Sequence, residues 1–156
     1  MKKLVLTLTA VLALAAPAAF AAEHGGHAGH DMAGMAKMEG VAYETVIDGV
    51  KTTFTVQTMK EAMAAMGMKM PAGVKDTHHI SVTFKDPKSG KALTGGEVKV
   101  KLLSPDKSEQ VKDLMGMHGH FGGDFVMTQK GKYGVMAKFK LADGKVRSAK
   151  FWYSVN

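Results

Sequence analysis

Residues 115–120, with the sequence MGMHGH, combine two kinds of metal-binding side chain with two glycines. Thioether sulfur is a soft ligand that suits Cu(I), whereas imidazole also binds Cu(II), Zn(II) and Ni(II). A site with both can therefore hold copper in either oxidation state. The two glycines permit a loop that brings the side chains together. We predict a copper site formed by Met115, Met117, His118 and His120.

The same run allows a structural interpretation, in which it forms a Gly-rich turn and one or two methionines fill gaps in the core. Two histidines beside glycines are unusual core residues, which favours the metal site. His78 and His79 begin a predicted strand and point to opposite faces of it, so one of them can face the run. We take His79 as an additional candidate ligand.

A second group of histidines, His24, His27 and His30, lies in the segment 22–40, which consists mostly of Gly, Ala, His and Met. Cleavage of the chain after Ala21 would place His24 third. The free amine, two deprotonated amides and the His24 imidazole would then form a square-planar site for Cu(II) or Ni(II). The alternative is a tail that only aids solubility. Methionine is its only bulky apolar side chain, so we expect a disordered tail.

A third cluster contains five methionines, namely Met59, Met63, Met66, Met68 and Met70. The sequence MKEAMAAM over residues 59–66 predicts a short helix, because it has good helix formers and is followed by a glycine. The first three methionines share one face of that helix at spacings of four and three. That face either packs into the core or forms a Cu(I)-binding or partner-binding surface, and the pattern allows both.

The first 21 residues have the three parts of a cleavable secretory signal peptide. Lys2 and Lys3 form the basic start, residues 4–16 are apolar or small, and residues 19–21 (AFA) fit the small-x-small rule for cleavage. The apolar stretch is too short to span a bilayer comfortably. We therefore predict a bacterial periplasmic or secreted protein with no membrane span after cleavage.

The remaining chain reads as all-β. Val41–Ile47 and Val50–Thr58 flank Asp48-Gly49, the signal of a type I′ hairpin. Further alternating segments with turn signals between them predict six strands, at His78–Lys85, Glu97–Leu103, Gln110–Met115, Phe121–Thr128, Tyr133–Leu141 and Val146–Val155. We predict an immunoglobulin-like antiparallel sandwich over residues 77–156, preceded by the hairpin and the short Met-rich helix in residues 41–76.

Four short motifs carry a resemblance to a known family: residues 79–84 (HISVTF), 95–98 (GGEV), 115–120 and 131–133 (GKY). With them, the run from residue 79 to 155 resembles the small periplasmic immunoglobulin-like domains of the YtkA/FixH type, and more loosely the CopC-type copper carriers. The resemblance implies a sandwich fold with a role in metal handling or oxidase maturation. It also implies a copper transporter or an oxidase assembly partner.

Composition excludes several classes of protein. The chain has no cysteine, so it has no disulfide, thiolate metal site, Fe–S cluster or covalent haem. Its formal net charge is +7, but the lysines are scattered and not interleaved with aromatic residues, which argues against nucleic-acid binding. Nucleophile, phosphate-loop and zinc-protease motifs are missing, so we expect no enzyme.

Together these features predict a periplasmic copper-binding protein that buffers, carries or delivers Cu(I) or Cu(II) through its Met/His clusters. Other soft or borderline metals fit the same side chains. The alternative belongs to another class of protein, an immunoglobulin-like interaction module that assists assembly of a membrane or respiratory complex. Its methionines would then serve as an adaptable contact surface.

Overall fold

The structure, a computed structural model, describes residues 40–156. The predicted leader and the tail up to residue 39, with His24, His27 and His30, lie outside the described residues. No helix within 40–156 is long and apolar enough to cross a membrane. The elements are β1 (Val41–Ile47), β2 (Val50–Thr58), α1 (Met59–Ala65), β3 (His78–Lys85), β4 (Gly96–Leu103), β5 (Glu109–Met117), β6 (His120–Phe125), β7 (Gly131–Leu141) and β8 (Val146–Val155).

The N-terminal hairpin has the predicted bounds. Asp48 and Gly49 have φ angles of 45° and 74°, the left-handed values that a type I′ turn requires at both central positions. Strand β2 then pairs antiparallel with β3 at eight successive positions, from Lys51 opposite Lys85 to Thr58 opposite His78. The hairpin is therefore part of the same sheet as the strands that follow it.

The eight strands of residues 40–156 form one antiparallel sheet in the order β1-β2-β3-β6-β5-β4-β7-β8. Strand β5 joins its two halves, because residues 109–114 pair with β4 whereas residues 115–117 pair with β6. The halves thus form the two layers of a sandwich. At the outer edges, Tyr43 of β1 stacks on Phe151 of β8 with ring centroids 5.1 Å apart, so the sheet nearly closes. The predicted all-β antiparallel fold is confirmed.

Alternation along the strands separates the core from the outer surface. On β3, Ile80, Val82 and Phe84 point between the layers and are at most 1% exposed. Each such burial contributes about 1.5–3 kcal/mol relative to an exposed side chain. The intervening residues, including His79 and Ser81, point away from the core. The outer face of this half is consequently free to carry a site.

The helix α1 begins at a capping box. The Thr58 hydroxyl accepts a hydrogen bond from the Glu61 backbone N–H at 3.2 Å, and the Glu61 carboxylate accepts one from the Thr58 N–H at 2.8 Å. The first turns pack beside β2 and β3 and bury Met59. Met66, directly after the helix, is 57% exposed. Of the methionines predicted to share one face, Met59 is therefore buried in the core, whereas Met66 is exposed.

Candidate metal centre

The Met/His run forms a tight β-hairpin, which differs from the predicted loop. Strand β5 extends through Met117, two residues beyond the predicted end of that strand, and Gly116 lies within it opposite Phe121. Only His118 and Gly119 form the turn, with φ angles of 39° and 90°. A two-residue type I′ turn matches the twist of the flanking strands, so the run needs no longer loop.

The register of three strands places four candidate ligands on one face. His79 lies opposite Asp124, and Met117 lies opposite His120. Directly opposed residues point to the same side of a sheet, as do residues two apart on a strand. His79, His120, Met115 and Met117 therefore all belong to the outer face of the half that contains β3 and β6.

Gly122 creates the space in which two of these ligands meet. It pairs with Ser81 on one side and Met115 on the other, at the centre of the outer face. A β-carbon at Gly122 would lie 2.6 Å from His79 Nε2 and 3.0 Å from Met117 Cε. The imidazole nitrogen and the thioether methyl thus approach the same point from two sides, over a backbone that has no side chain there.

The partner of His79 fixes which of its nitrogens faces this space. His79 Nδ1 lies 2.6 Å from Asp124 Oδ1, and the His79 side chain is only 14% exposed. An ionised carboxylate can only accept, so Nδ1 carries the proton and donates it. This leaves the lone pair of the neutral ring on Nε2. A carboxylate behind a histidine in this way is the usual arrangement for orienting a metal ligand.

His120 lies with His79 in a cleft of about 320 Å³ between the sheet and the end of α1. Burial lowers the pKa of His120, and the nearby charges of His79 and His118 lower it further. A lowered pKa keeps the imidazole neutral and able to bind a metal ion. The cleft is lined by Thr55, Gln57, Ala62, Ala65, Met66, His79, Ser81, Thr83 and His120.

The other predicted ligands are placed differently. Met115 is on the same face but 72% exposed, and it is not among the atoms nearest to the Gly122 space. His118 is exposed in the hairpin turn. The structure thus brings together His79, His120 and Met117, and leaves Met115 and His118 at the margin.

The donor set favours a soft metal ion. Among residues 40–156, no group of three or more His, Cys, Asp or Glu side chains is arranged to hold a metal. Two imidazoles and a thioether suit Cu(I), whereas Mg²⁺ and Ca²⁺ require oxygen ligands.

Sequence reasoning missed three features of this site. Asp124 lies four residues after His120 on β6, a spacing that puts both on one face of a strand. Gly122-Gly123 inside a strand was a visible sign of close approach by another group. The sequence groups Met66 with the other methionines of residues 59–70, and nothing in it indicates that this side chain lines a cleft with His79.

Two histidines make the folded state sensitive to mild acid. Burial lowers the pKa of His78, with Glu61 partly opposing the effect, and burial also lowers the pKa of His120. In the unfolded chain both return to about 6.5. Below that pH the unfolded state binds more protons than the folded state. The contribution of these two histidines to stability is therefore complete above about pH 6.5 and is lost as the pH falls towards their pKa values in the folded protein.

We expect the free energy of unfolding of the metal-free protein, measured with denaturant, to be lower at about pH 5.5 than at about pH 7.5. The carboxylates of Glu44, Glu61 and Asp143 have lowered pKa values and reference values of 4.5 or below, so they act only in stronger acid. Replacing both His78 and His120 with glutamine should flatten the difference. If the double variant lost as much unfolding free energy between these two pH values as the parent protein, other groups would cause the effect.

No protein-family model matches the chain. No curated protein matches it in sequence. Among solved structures, the fold is similar to a copper-bound variant of FetP from uropathogenic Escherichia coli, with TM-score 0.58 and 14% identity over 74% of this chain and 95% of that one. It is also similar to FetP as isolated, expressed recombinantly in the E. coli periplasm, with TM-score 0.54 and 14% identity over 75% and 97%.

A third similar structure is a DUF4426 family protein from Pseudomonas aeruginosa, with TM-score 0.55 and 13% identity over 76% of this chain and 96% of that one. At these identities the likeness concerns the fold. The likeness covers 74–76% of this chain and 95–97% of the other chains, so it extends over most of the fold.

Proposed function

We propose that this protein binds copper in the periplasm and buffers, carries or delivers it, without catalysing a reaction. Cu(I) is held by His79, His120 and Met117 on the outer face of the sheet. The observation that carries the proposal is the convergence of His79 Nε2 and the Met117 methyl on the space above Gly122. Copper is the cargo of this site, and the copper-bound state of FetP supports the choice of metal.

Each ligand has a separate task. Asp124 orients His79 through the Nδ1 hydrogen bond, and the same contact raises the electron density at Nε2. His120 stays neutral because it is partly buried. Met117 supplies a soft donor that resists oxidation better than a thiolate would outside the cytoplasm. The set therefore favours Cu(I) over Zn(II), because residues 40–156 contain no group of three His, Cys, Asp or Glu side chains arranged to hold a metal.

The N-terminal histidines extend the proposal to Cu(II). His24, His27 and His30 would bind this ion once cleavage frees the amine of Ala22, as predicted from the sequence. The resemblance to YtkA/FixH-type and CopC-type proteins also comes from the sequence alone and is part of the proposal. It rests on short motifs, and it adds a copper transporter or an oxidase assembly partner as the recipient.

The proposal is tested by Cu(I) titration against a competing chromophoric chelator. The tail would obscure the result, so the titration uses the chain from residue 22 with the tail donors replaced by Ala and Leu, a variant we call tail-silent. Its replaced residues are His24, His27, His30, Met32, Met35 and Met38.

We expect the tail-silent protein to bind one Cu(I) per chain with a dissociation constant below about 1 μM, a binding free energy of about −8 kcal/mol or stronger. Replacing His79 with alanine should raise the constant by about 10- to 100-fold, the range typical of losses in metal-site support. Stoichiometric binding that survives in the His79→Ala protein would place the ion elsewhere.

The interaction-module alternative also has a structural basis. Trp152 is 58% exposed on β8, and Lys150 lies over its ring at 5.7 Å from the centroid. An exposed tryptophan is a common anchor of protein interfaces. Isolation of the protein from its native compartment with a stable protein partner and without copper would favour this function over metal carriage.

A further inference from the structure

The chain directly after α1 is held in a fixed conformation. Gly67 has a φ of 67°, and its N–H donates to the Ala64 carbonyl at 3.0 Å. The Met68 N–H donates to the Met63 carbonyl at 2.9 Å. These two bonds are those of a Schellman motif, which closes a helix with a left-handed glycine. Met66 and Met68 therefore leave the backbone from defined positions on either side of Gly67.

Both methionines are exposed although their side chains are apolar. Met66 is 57% exposed and Met68 is 50% exposed. Met66 also lines the cleft that contains His79 and His120. The Met66 side chain is thus open to solvent and also borders the cleft that holds two of the proposed copper ligands, His79 and His120. Burial in the core therefore does not account for these two thioethers.

We propose that Met66 and Met68 form a Cu(I) capture site at the mouth of the cleft, from which the ion passes to His79, His120 and Met117. The inference rests on the proposed function and adds the route by which the ion arrives. The α-carbons of residues two apart lie within about 7.6 Å, so two flexible thioethers can reach one ion. Two neutral soft donors suit Cu(I) and exclude hard cations.

The transfer is a ligand exchange. Bonds from copper to the sulfurs of Met66 and Met68 break as bonds to His79 Nε2 and the inner donors form. Copper remains Cu(I), so no electron is transferred. No proton leaves His79 when its ring is neutral, because the single ring proton is on Nδ1 and is donated to Asp124.

The direction of transfer follows from burial. The capture methionines are open to solvent, so they exchange ions easily with a donor outside the protein. His79 is only 14% exposed and is oriented by Asp124, so this ligand is better organised and better shielded than the capture methionines. A preorganised ligand loses less freedom on binding, which makes the inner site the tighter one.

The experiment follows Cu(I) transfer from a Cu(I)–bicinchoninate complex by stopped-flow absorbance under anaerobic conditions. It uses the tail-silent protein with Met66 and Met68 both replaced by leucine, a change that roughly conserves volume. We expect the rate constant of loading to fall about tenfold, within the range over which association rates vary among variants of one site. The equilibrium Cu(I) affinity should stay within about twofold, since the inner ligands are intact.

The matched control is Met136→Leu, a partly buried methionine on β7 in the other half of the sheet, which should load at the parental rate. An unchanged rate in Met66→Leu/Met68→Leu overturns the capture site. A fall in affinity equal to the fall in rate also overturns it, because Met66 would then be a permanent ligand. If the parent protein and its His79→Ala variant bind Cu(I) with equal affinity, the proposed inner site is wrong, and the capture step that leads to it is wrong as well.

Discussion

Replacing Gly122 with alanine is expected to abolish tight Cu(I) binding while leaving the sandwich folded. The added β-carbon would lie 2.6 Å from His79 Nε2 and 3.0 Å from Met117 Cε, in the space that we assign to the ion. The Met117 side chain can move aside, because thioether chains are flexible. The His79 ring is restrained by its bond to Asp124, so the methyl group blocks the lone pair of Nε2.

We expect the dissociation constant for Cu(I) to rise at least about 100-fold in Gly122→Ala, equivalent to about 2.7 kcal/mol of binding free energy. The backbone tolerates alanine, because Gly122 is not among the glycines with positive φ. Competition with bicinchoninate gives the affinity, and far-ultraviolet circular dichroism with thermal melting verifies the fold.

Gly116→Ala provides the matched control in the neighbouring strand. Its β-carbon would lie 3.5 Å from the Phe121 ring, an ordinary van der Waals contact on the opposite face of the sheet. That variant should bind Cu(I) like the parent protein. If Gly122→Ala retained parental affinity with its fold intact, the space above Gly122 could not be the copper site, and His79 would have a structural role through Asp124.

Much of the fold could be predicted from local sequence signals, because each of these signals acts over a few residues. Asp48-Gly49 is one of the few dipeptides that accept left-handed conformation at two successive positions, and it gave the hairpin bounds without error. Alternation on β3, with Ile80, Val82 and Phe84 inward, gave the buried face. Such signals do not reveal the strand order, in which β5 pairs with β4 and then β6.

Only part of the candidate site could be predicted from the sequence, because the site depends on pairing between distant segments. The clustering of Met and His in residues 115–120 is visible in the sequence. The contact between His79 and Asp124 joins residues 45 positions apart, and no local pattern predicts it. The role of Gly122 likewise depends on register, since only the pairing with Ser81 brings it under His79.

The helix shows a similar division. Periodicity places Met59, Met63 and Met66 on one face, but Met66 lies directly after α1, and the pattern carries no information on where the helix meets the sheet. The Met59 N–H donates to the Thr77 carbonyl at 2.8 Å, which ties the start of the helix to the chain entering β3. The start is therefore buried, and the end at Met66 remains exposed beside the cleft.

The two methionines of the β5–β6 hairpin should differ strongly in their effect on Cu(I) binding, although the sequence treats them alike. The Met117 methyl lies near His79 Nε2, since both approach the β-carbon position of Gly122. Met115 is 72% exposed and lies outside that contact. We expect Met117→Leu to weaken Cu(I) binding by about tenfold or more, on the order of 1.4 kcal/mol.

Leucine keeps the volume and apolar character of methionine but removes the sulfur, so stability should fall by less than about 1.5 kcal/mol at either position. Met115→Leu is the matched control on the same strand and face, and its Cu(I) affinity in the tail-silent protein should equal that of the parent. Titration of both variants against the same chelator, with denaturant unfolding to verify stability, separates the two roles. If both variants lost Cu(I) affinity equally, the copper would lie over the exposed end of the hairpin. If both kept the parental affinity, neither methionine of this hairpin would be a copper ligand.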